Sequence, residues 1–320
     1  MNWWKSWWRP APPAWARFFS KGEYYRFLEE IRGYFRRRGL AIVIEDSILC
    51  VPAGLPGGIQ RCGLLNLAQR CKQEADAATW PGIIAAHFDS FERHLQESAR
   101  VQEIARDFER VAPLLAVRLY PQEYLEGDTA RHCVFRRDLP STVTVLVYDL
   151  PSSIQNVRPG DVASWGRDVE EIFEIALDNV RLHSIPQRSE VACGDGIALQ
   201  VLTGQDYFVA THALLLDEHP ACVGIHGALV GVPHRHAVLT YPIRDMAVLR
   251  VVQPMLGAII GMERDGPGSI SSQLFWYHDG SYERLPYRVD RQRLIVEPPA
   301  PFLELLQTLA RTDEDESLGG

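Results

Sequence analysis

The stretch TVTVLVYD (Thr142–Asp149) predicts a β-strand, because β-branched and aromatic residues predominate in it. The next long periodic segment predicts a helix, with its apolar residues on one face: Trp165, Val169, Ile172, Phe173, Ala176 and Val180. Strands and helices do not alternate regularly along the chain, which argues against a doubly wound parallel sheet. We therefore expect an α+β fold with mixed or antiparallel sheets and flanking helices, in two α+β segments.

Two hairpins are predicted further along the chain. They pair Ala228–Val232 with Ala237–Tyr241, and Gln273–Tyr277 with Glu283–Tyr287. The second carries Asp279-Gly280, a strong signal for a tight hairpin turn. Between strand and hairpin, Tyr207–Leu216 fits either a strand or a helix, and both alternatives remain open.

Upstream, the sequence predicts a capped amphipathic helix. Ser20 and Glu23 have the spacing of a capping box, and Gly39 is a typical stop signal. Hairpin strands follow at Leu40–Ile44 and Ile48–Val51, and two further helices are expected between Trp80 and Ala112. The predicted segments are a Trp/Pro-rich basic arm (1–20), an N-terminal α+β segment (21–112), a C-terminal α+β domain (113–311) and an acidic tail (312–320).

The composition is that of a folded cytoplasmic protein. Of the 320 residues, 46% are hydrophobic and 23% charged, which is typical of globular domains. The six cysteines form no C-x-x-C pair, so they indicate reduced core thiols rather than a zinc ribbon or redox pair. The sequence shows neither a signal peptide nor an apolar run of about 18–20 residues, the length that a membrane span needs.

Charge is distributed unevenly. The net charge is −8, yet residues 1–38 hold nine Lys/Arg against three Glu. The body of the chain is therefore acidic, which argues against nucleic acid as its partner.

The basic arm predicts a contact surface. Five of the eight tryptophans lie in residues 1–20, beside lysine and arginine. Such residues suit either a partner protein or a weak contact with a membrane surface. The candidate contact residues are Trp3, Trp4, Trp7, Trp8 and Arg9. Alternatively, these tryptophans fold back onto the protein itself.

One histidine cluster is a candidate metal site. His226, His234 and His236 lie around one predicted hairpin, and the spacing of His234 and His236 would place both rings on one side of a strand. Imidazoles are common zinc ligands. No acidic ligand lies nearby in sequence, and a polar turn between two strands is the alternative interpretation.

Sequence motifs for catalysis and cofactor binding are absent. The chain contains no G-x-S-x-G, no G-x-x-x-x-G-K-[ST] and no G-x-G-x-x-G. We therefore assign no catalytic residue and expect no cofactor.

Residues 142–285 resemble a known family in a series of short motifs. These are Val145-Leu146-Val147-Tyr148-Asp149, the helix from Trp165 to Asn179, Asp206 leading into Ala210 and Leu214, Val232-Pro233-His234-Arg235, Ile270-Ser271 before Leu274-Phe275, and Asp279-Gly280. They resemble the YtpQ-like family of bacterial proteins of unknown function, and Tyr25–Phe91 resembles its N-terminal part more loosely. The resemblance implies a cytosolic α+β protein and no established activity.

Two hypotheses of function follow. The first is a non-enzymatic protein-binding, adaptor or chaperone-like module, because no catalytic signature accompanies the acidic body and the aromatic arm. The second is a metal-dependent hydrolase that uses His226, His234 and His236.

Overall fold

The computed structural model describes residues 10–51, 60–194, 196–291 and 293–318. It has an α+β fold that divides into two compact units. The first unit comprises Met1–Glu103 with Pro151–Ser153, and the second comprises Ile104–Leu150 with Ile154–Gly320. Within the described residues, no helix is both long enough and apolar enough to cross a membrane.

The first unit packs helices on a small antiparallel sheet. Its helices are α1 (Lys21–Arg37), α2 (Leu65–Gln73) and α3 (Trp80–Ile104), and its strands, in sheet order, are β1 (Val43–Glu45), β2 (Ile48–Val51) and β3 (Gln60–Gly63). The predicted capping box is confirmed, since Ser20 accepts from the Glu23 N–H and the Glu23 carboxylate accepts from the Ser20 N–H. The apolar stripe of α1 is buried against α2 and α3.

The second unit contains three further sheets and most of the chain. Its strands are β4 (Leu115–Pro121), β5 (Phe135–Arg136), β6 (Thr142–Leu150), β7 (Ser153–Asn156), β8 (Gln187–Gly194), β9 (Ile197–Thr203), β10 (Ala228–His234), β11 (Ala237–Pro242), β12 (Leu274–His278), β13 (Ser281–Leu285), β14 (Tyr287–Asp290) and β15 (Arg293–Val296). Its helices are α4 (Phe108–Val111), α5 (Pro159–Trp165), α6 (Val169–His183), α7 (Val248–Asp265) and α8 (Ala300–Leu318), and a 3-10 helix spans Val209–Glu218.

The largest sheet has six antiparallel strands in the order β13-β12-β10-β11-β9-β8, and both faces of its four inner strands are largely buried. Leu229 of β10 packs on the side that carries α7 and α8, with Ile259 and Phe302. Val230, the next residue, packs on the opposite side with Ala213 of the 3-10 helix. Successive side chains of a strand point to opposite faces, so an unbroken apolar run such as β10 indicates burial on both.

A smaller sheet holds the strand predicted from TVTVLVYD. Strand β6 lies between β4 and β5, and all of its residues except Asp149 are buried. The helix α6 packs against β4, where the Asn179 side chain donates to the carbonyls of Ala112 and Leu115, each at 2.8 Å. Both elements therefore match the sequence prediction in kind.

Two predicted helix boundaries are wrong. Trp165 ends α5 instead of starting α6, because Gly166 takes a left-handed conformation (φ 61°) and Asp168 caps a new helix. In the first unit, α3 continues without a break to Ile104, since no proline or glycine interrupts it after Gly82. The segment left open between strand and helix is the 3-10 helix Val209–Glu218, which is kinked at Leu215, where the backbone is not helical (φ −114°, ψ 26°).

The predicted hairpins are confirmed. The Asp279-Gly280 turn has positive φ at both residues (47° and 71°), as its turn type requires. Strands β3, β7, β8 and β14 were not predicted. Both faces of β8 are exposed along most of its length, so it lacks the alternating pattern that marks a strand.

Candidate functional site

The structure places the predicted histidines at opposite ends of one strand. His226 precedes β10, whereas His234 ends it, and six strand steps of about 3.3 Å separate the ends by about 20 Å. The His226 N–H donates to the Ile243 carbonyl (3.2 Å), and its carbonyl accepts from Trp276 Nε1 (3.1 Å), which fixes its backbone. Within the described residues, no group of three His, Cys, Asp or Glu side chains is arranged to hold a metal ion. The hairpin thus separates the predicted ligands.

The other two histidines contact each other through the turn. His236 lies in the turn between β10 and β11, not in the strand, and its N–H donates to His234 Nδ1 at 3.2 Å. Arg235 Nε donates to His236 Nε2 at 2.9 Å. Each ring therefore already uses one of its nitrogens within the hairpin.

The predicted contact residues Trp3, Trp4, Trp7, Trp8 and Arg9 lie outside the described residues. The end of the arm that is described packs on α1. Tyr25 Oη donates to the Pro10 carbonyl at 3.3 Å, and the rings of Trp15 and Tyr24 meet edge to face at 6.0 Å. Residues 10–20 are therefore tied to the first unit.

A different group of side chains in the second unit has the features of a binding site. Arg118 and Tyr120 lie on one face of β4, Tyr207 directly precedes Phe208 and the 3-10 helix, and Arg235 and His236 form the β10–β11 turn. We name these five residues the arginine–tyrosine cluster.

Backbone hydrogen bonds bring the three segments of the cluster together. The Arg235 carbonyl accepts from the Ala210 N–H (3.2 Å), which ties the turn to the 3-10 helix. Thr211 Oγ1 of the same helix donates to the Val117 carbonyl (3.0 Å), which ties the helix to β4. The 3-10 helix, whose type the sequence left open, is therefore the element that assembles the cluster.

The two arginines of the cluster share one aromatic ring. The Cζ atoms of Arg118 and Arg235 lie 5.6 and 4.9 Å from the centre of the Tyr207 ring. Arg118 also lies 4.7 Å from the Tyr120 ring, and the His236 ring is 6.0 Å from that of Tyr207. Such contacts stabilise a guanidinium without neutralising its charge.

The positive charge of the cluster has no counterion among the described residues. Some other arginines of this unit do pair with carboxylates, as Arg136 does with Asp138 and Arg288 with Glu297. Neither Arg118 nor Arg235 forms an ion pair with any carboxylate that the structure describes. Burial lowers the pKa of Arg118, and the Arg235 charge lowers it further, although a guanidinium stays protonated at neutral pH.

Hydrogen-bond donors of the cluster also lack acceptors. Arg118 Nε and His236 Nδ1 are both buried without a partner among the described residues. Because His236 Nε2 accepts from Arg235, the proton of the neutral ring is assigned to Nδ1, which makes that atom a donor. An unsatisfied buried donor costs about 1–3 kcal/mol. The cluster therefore has an excess of positive charge and of donors, which an anion would complement.

A glycine maintains the position of Arg235. Gly268 has φ +70° and its carbonyl accepts from the Arg235 N–H at 3.1 Å. A Cβ added at this position would lie 3.0 Å from Arg235 Cδ and 3.1 Å from Nη1. Any larger residue would therefore be strained and would also displace the guanidinium.

A second group combines the residue types of a catalytic triad but not its geometry. His212 Nε2 lies 3.0 Å from the Ser184 carbonyl oxygen, so this nitrogen carries the proton and cannot accept one from the serine. His212 Nδ1 lies 3.1 Å from His219 Nε2, and Ser184 Oγ donates to Asp206 Oδ1 at 2.8 Å. The serine has no base, and the network instead joins the end of α6 to the 3-10 helix.

Sequence reasoning missed three of the five cluster residues, Arg118, Tyr120 and Tyr207, and treated Arg235 only as a residue between two histidines. One signal was present, because Arg118 is the single charged residue in the apolar run LAVRLY (Leu115–Tyr120). A charged residue in a buried strand needs a partner or a function.

Comparison of the chain with family models, with curated proteins and with solved structures gives no match, so the YtpQ-like resemblance stays a prediction.

Proposed function

We propose that this protein is a non-enzymatic binding module whose arginine–tyrosine cluster recognises an anionic group on a partner protein. One observation carries the proposal: Arg118 and Arg235 share the Tyr207 ring, and neither is paired with a described carboxylate. Arginine recognises carboxylates and phosphates through two parallel N–H donors, and aromatic contacts pre-organise it for this.

The charge of the chain favours a single inserted anionic group over an extended polyanion. The net charge is −8, and the arginines Arg136, Arg167, Arg181 and Arg288 of the same unit are paired with carboxylates. A polyanion such as nucleic acid needs a continuous basic surface, and an acidic body repels it. The cluster fits a side chain or terminus that enters a local site.

The expectation of a cytoplasmic location is part of this proposal. All six cysteines are free, and burial raises the pKa of Cys71 to about 11, so this thiol stays protonated and unreactive. A second contact through residues 1–20, with protein or weakly with a membrane surface, also remains a proposal.

The alternative of a metal-dependent hydrolase finds no support in the geometry. It requires His226, His234 and His236 to converge on one ion, and the length of β10 keeps His226 away from the other two. We therefore favour binding over catalysis.

Thermal unfolding in different anions tests the proposal. We expect sodium phosphate, sulfate or acetate, compared with chloride at constant ionic strength, to raise the Tm of the full chain, because a ligand that binds only the folded state stabilises it. Arg118→Gln and Arg235→Gln should each abolish this increase. Arg288→Gln is the matched control, because Arg288 is an exposed, ion-paired arginine of the same unit.

Two results would contradict the proposal. One is that no anion raises the Tm beyond chloride. The other is that Arg118→Gln and Arg235→Gln respond to anions as fully as the unmodified chain and Arg288→Gln.

A further inference from the structure

We infer that the anion bound by the arginine–tyrosine cluster is a doubly charged phosphate monoester, as on a phosphorylated side chain, and not a carboxylate. The inference rests on the proposed function and names the ligand class for the same site. It depends on the charge of the cluster, on the arrangement of its donors, and on the access that Tyr207 allows.

The charge of the cluster is close to two. Arg118 and Arg235 each contribute one positive charge. His236 accepts from Arg235 at Nε2 and so is neutral, while burial raises the pKa of Tyr120 to about 12, which keeps its phenol uncharged. A carboxylate would leave one guanidinium without a counterion in a half-buried site, whereas a phosphate monoester carries about −1.5 to −2 at pH 7.

The arrangement of the donors suits a tetrahedral anion better than a planar one. A carboxylate is planar, and a guanidinium bound in the bidentate arrangement uses one lone pair of each oxygen, which leaves only in-plane sites for further donors. A phosphate monoester has three terminal oxygens at tetrahedral angles, so it accepts from two guanidiniums and from a further donor. Arg118, Arg235 and the unpartnered His236 Nδ1 provide this set.

Tyr207 makes the cluster accessible to a group on another molecule. Tyr207 is 46% exposed, although its ring contacts both guanidiniums, whereas Arg118 Nε and His236 Nδ1 are buried. A phosphate that enters beside the Tyr207 ring would therefore give up hydrogen bonds to water and accept hydrogen bonds from the buried donors. Low local polarity then strengthens each charge-assisted hydrogen bond.

Calorimetric titration of the full chain at pH 7.5 tests the inference with four probes. O-phosphoserine and inorganic phosphate are the dianions, dimethyl phosphate has the same phosphorus centre with one charge, and acetate is the carboxylate. We expect the two dianions to bind at least tenfold more tightly than dimethyl phosphate or acetate. Binding of O-phosphoserine should weaken when the pH falls to 5.5, because its second pKa is about 6.

The arms of the titration separate the possible sources of the phosphate. Binding of O-phosphoserine at least as tight as that of inorganic phosphate supports a phosphorylated partner, whereas tighter binding of inorganic phosphate supports a free phosphate.

Arg235→Lys should weaken the binding of both dianions by at least tenfold while keeping the charge, because lysine cannot form the bidentate contact. Near-ultraviolet circular dichroism confirms that the variant remains folded.

The two proposals fail in different ways. Equal, Arg235-dependent binding of acetate, dimethyl phosphate and phosphate would overturn the assignment of a dianion but leave the proposed function standing. If none of the four probes binds, both proposals are wrong.

Discussion

Replacing Arg118 with methionine should make the unliganded protein more stable. Methionine fills a similar volume. The substitution removes a buried donor that has no described acceptor and a charge that has no described counterion. An arginine that served only the fold would give the opposite result, so this substitution distinguishes a binding site from a structural contact.

The magnitude follows from the distances. Both guanidiniums lie within 5.6 Å of the centre of one ring, so their Cζ atoms are separated by no more than about 10.5 Å. At an effective dielectric constant of about 20, the repulsion is then at least about 1.6 kcal/mol before screening. The unsatisfied Nε adds about 1–3 kcal/mol. Against this, the two cation–π contacts contribute about 0.5–1 kcal/mol each. We therefore expect a net gain in stability of about 0.6 kcal/mol or more.

Native-state hydrogen exchange is the appropriate assay, because it measures stability at β4 and the hairpin themselves, where the substitution acts. Peptides from β4 and from the β10–β11 hairpin should show higher protection in Arg118→Met. The matched control is Arg288→Met, which removes an exposed ion pair and should change protection by less than about 1 kcal/mol.

One result would refute this reasoning. If the free energy of exchange in β4 and the hairpin falls by about 1 kcal/mol or more in Arg118→Met, then Arg118 stabilises the fold. The charge of the cluster would then be compensated within the protein. A rise in protection together with loss of the phosphate-induced stabilisation would support both proposals.

Three further predictions concern the fold around the site. Burial, followed by the charge of His219, lowers the pKa of His212, so the unfolded chain binds more protons than the folded chain below about pH 6.5. The free energy of unfolding, measured in urea, should therefore fall between pH 7.5 and pH 5.5. The decrease should be smaller in His212→Gln. Gly227→Ala should cost at least about 3 kcal/mol in the same assay, because φ is +82° and the added Cβ would meet the Tyr277 carbonyl. Asn179→Ala should cost about 1–3 kcal/mol, since two backbone carbonyls lose their donor; a change below about 0.5 kcal/mol would contradict this.

Local signals in the sequence were sufficient for most of the elements and for none of the site. The capping box of Ser20 and Glu23 and the turn at Asp279-Gly280 act within four residues, so the sequence alone predicts them. The arginine–tyrosine cluster joins three segments that are far apart along the chain, and the 3-10 helix that joins them has a sequence that suits a strand equally well. Its assembly depends on tertiary hydrogen bonds that periodicity does not show.

The His234 and His236 spacing shows the opposite problem, in which a local pattern suggests more chemistry than the fold provides. Alternating residues share a face only while the strand continues, and β10 ends at His234. The turn then uses both histidines for internal hydrogen bonds, and Arg235 between them becomes the functional candidate. The sequence pattern pointed to the same turn as the proposed cluster, although to other side chains.

The unpaired donors of the cluster differ from others in the protein. Trp80 Nε1 and Thr144 Oγ1 are also buried without a described partner, but each belongs to an uncharged side chain and so adds no uncompensated charge to its surroundings. In the 3-10 helix, by contrast, the buried polar residues are satisfied: His212 uses both ring nitrogens, and Thr211 donates to a backbone carbonyl. The fold satisfies these neighbours and yet leaves both guanidiniums without a counterion among the described residues, and this contrast is the main support for the proposed anion site. A multiply charged anion is the ligand that would satisfy the cluster.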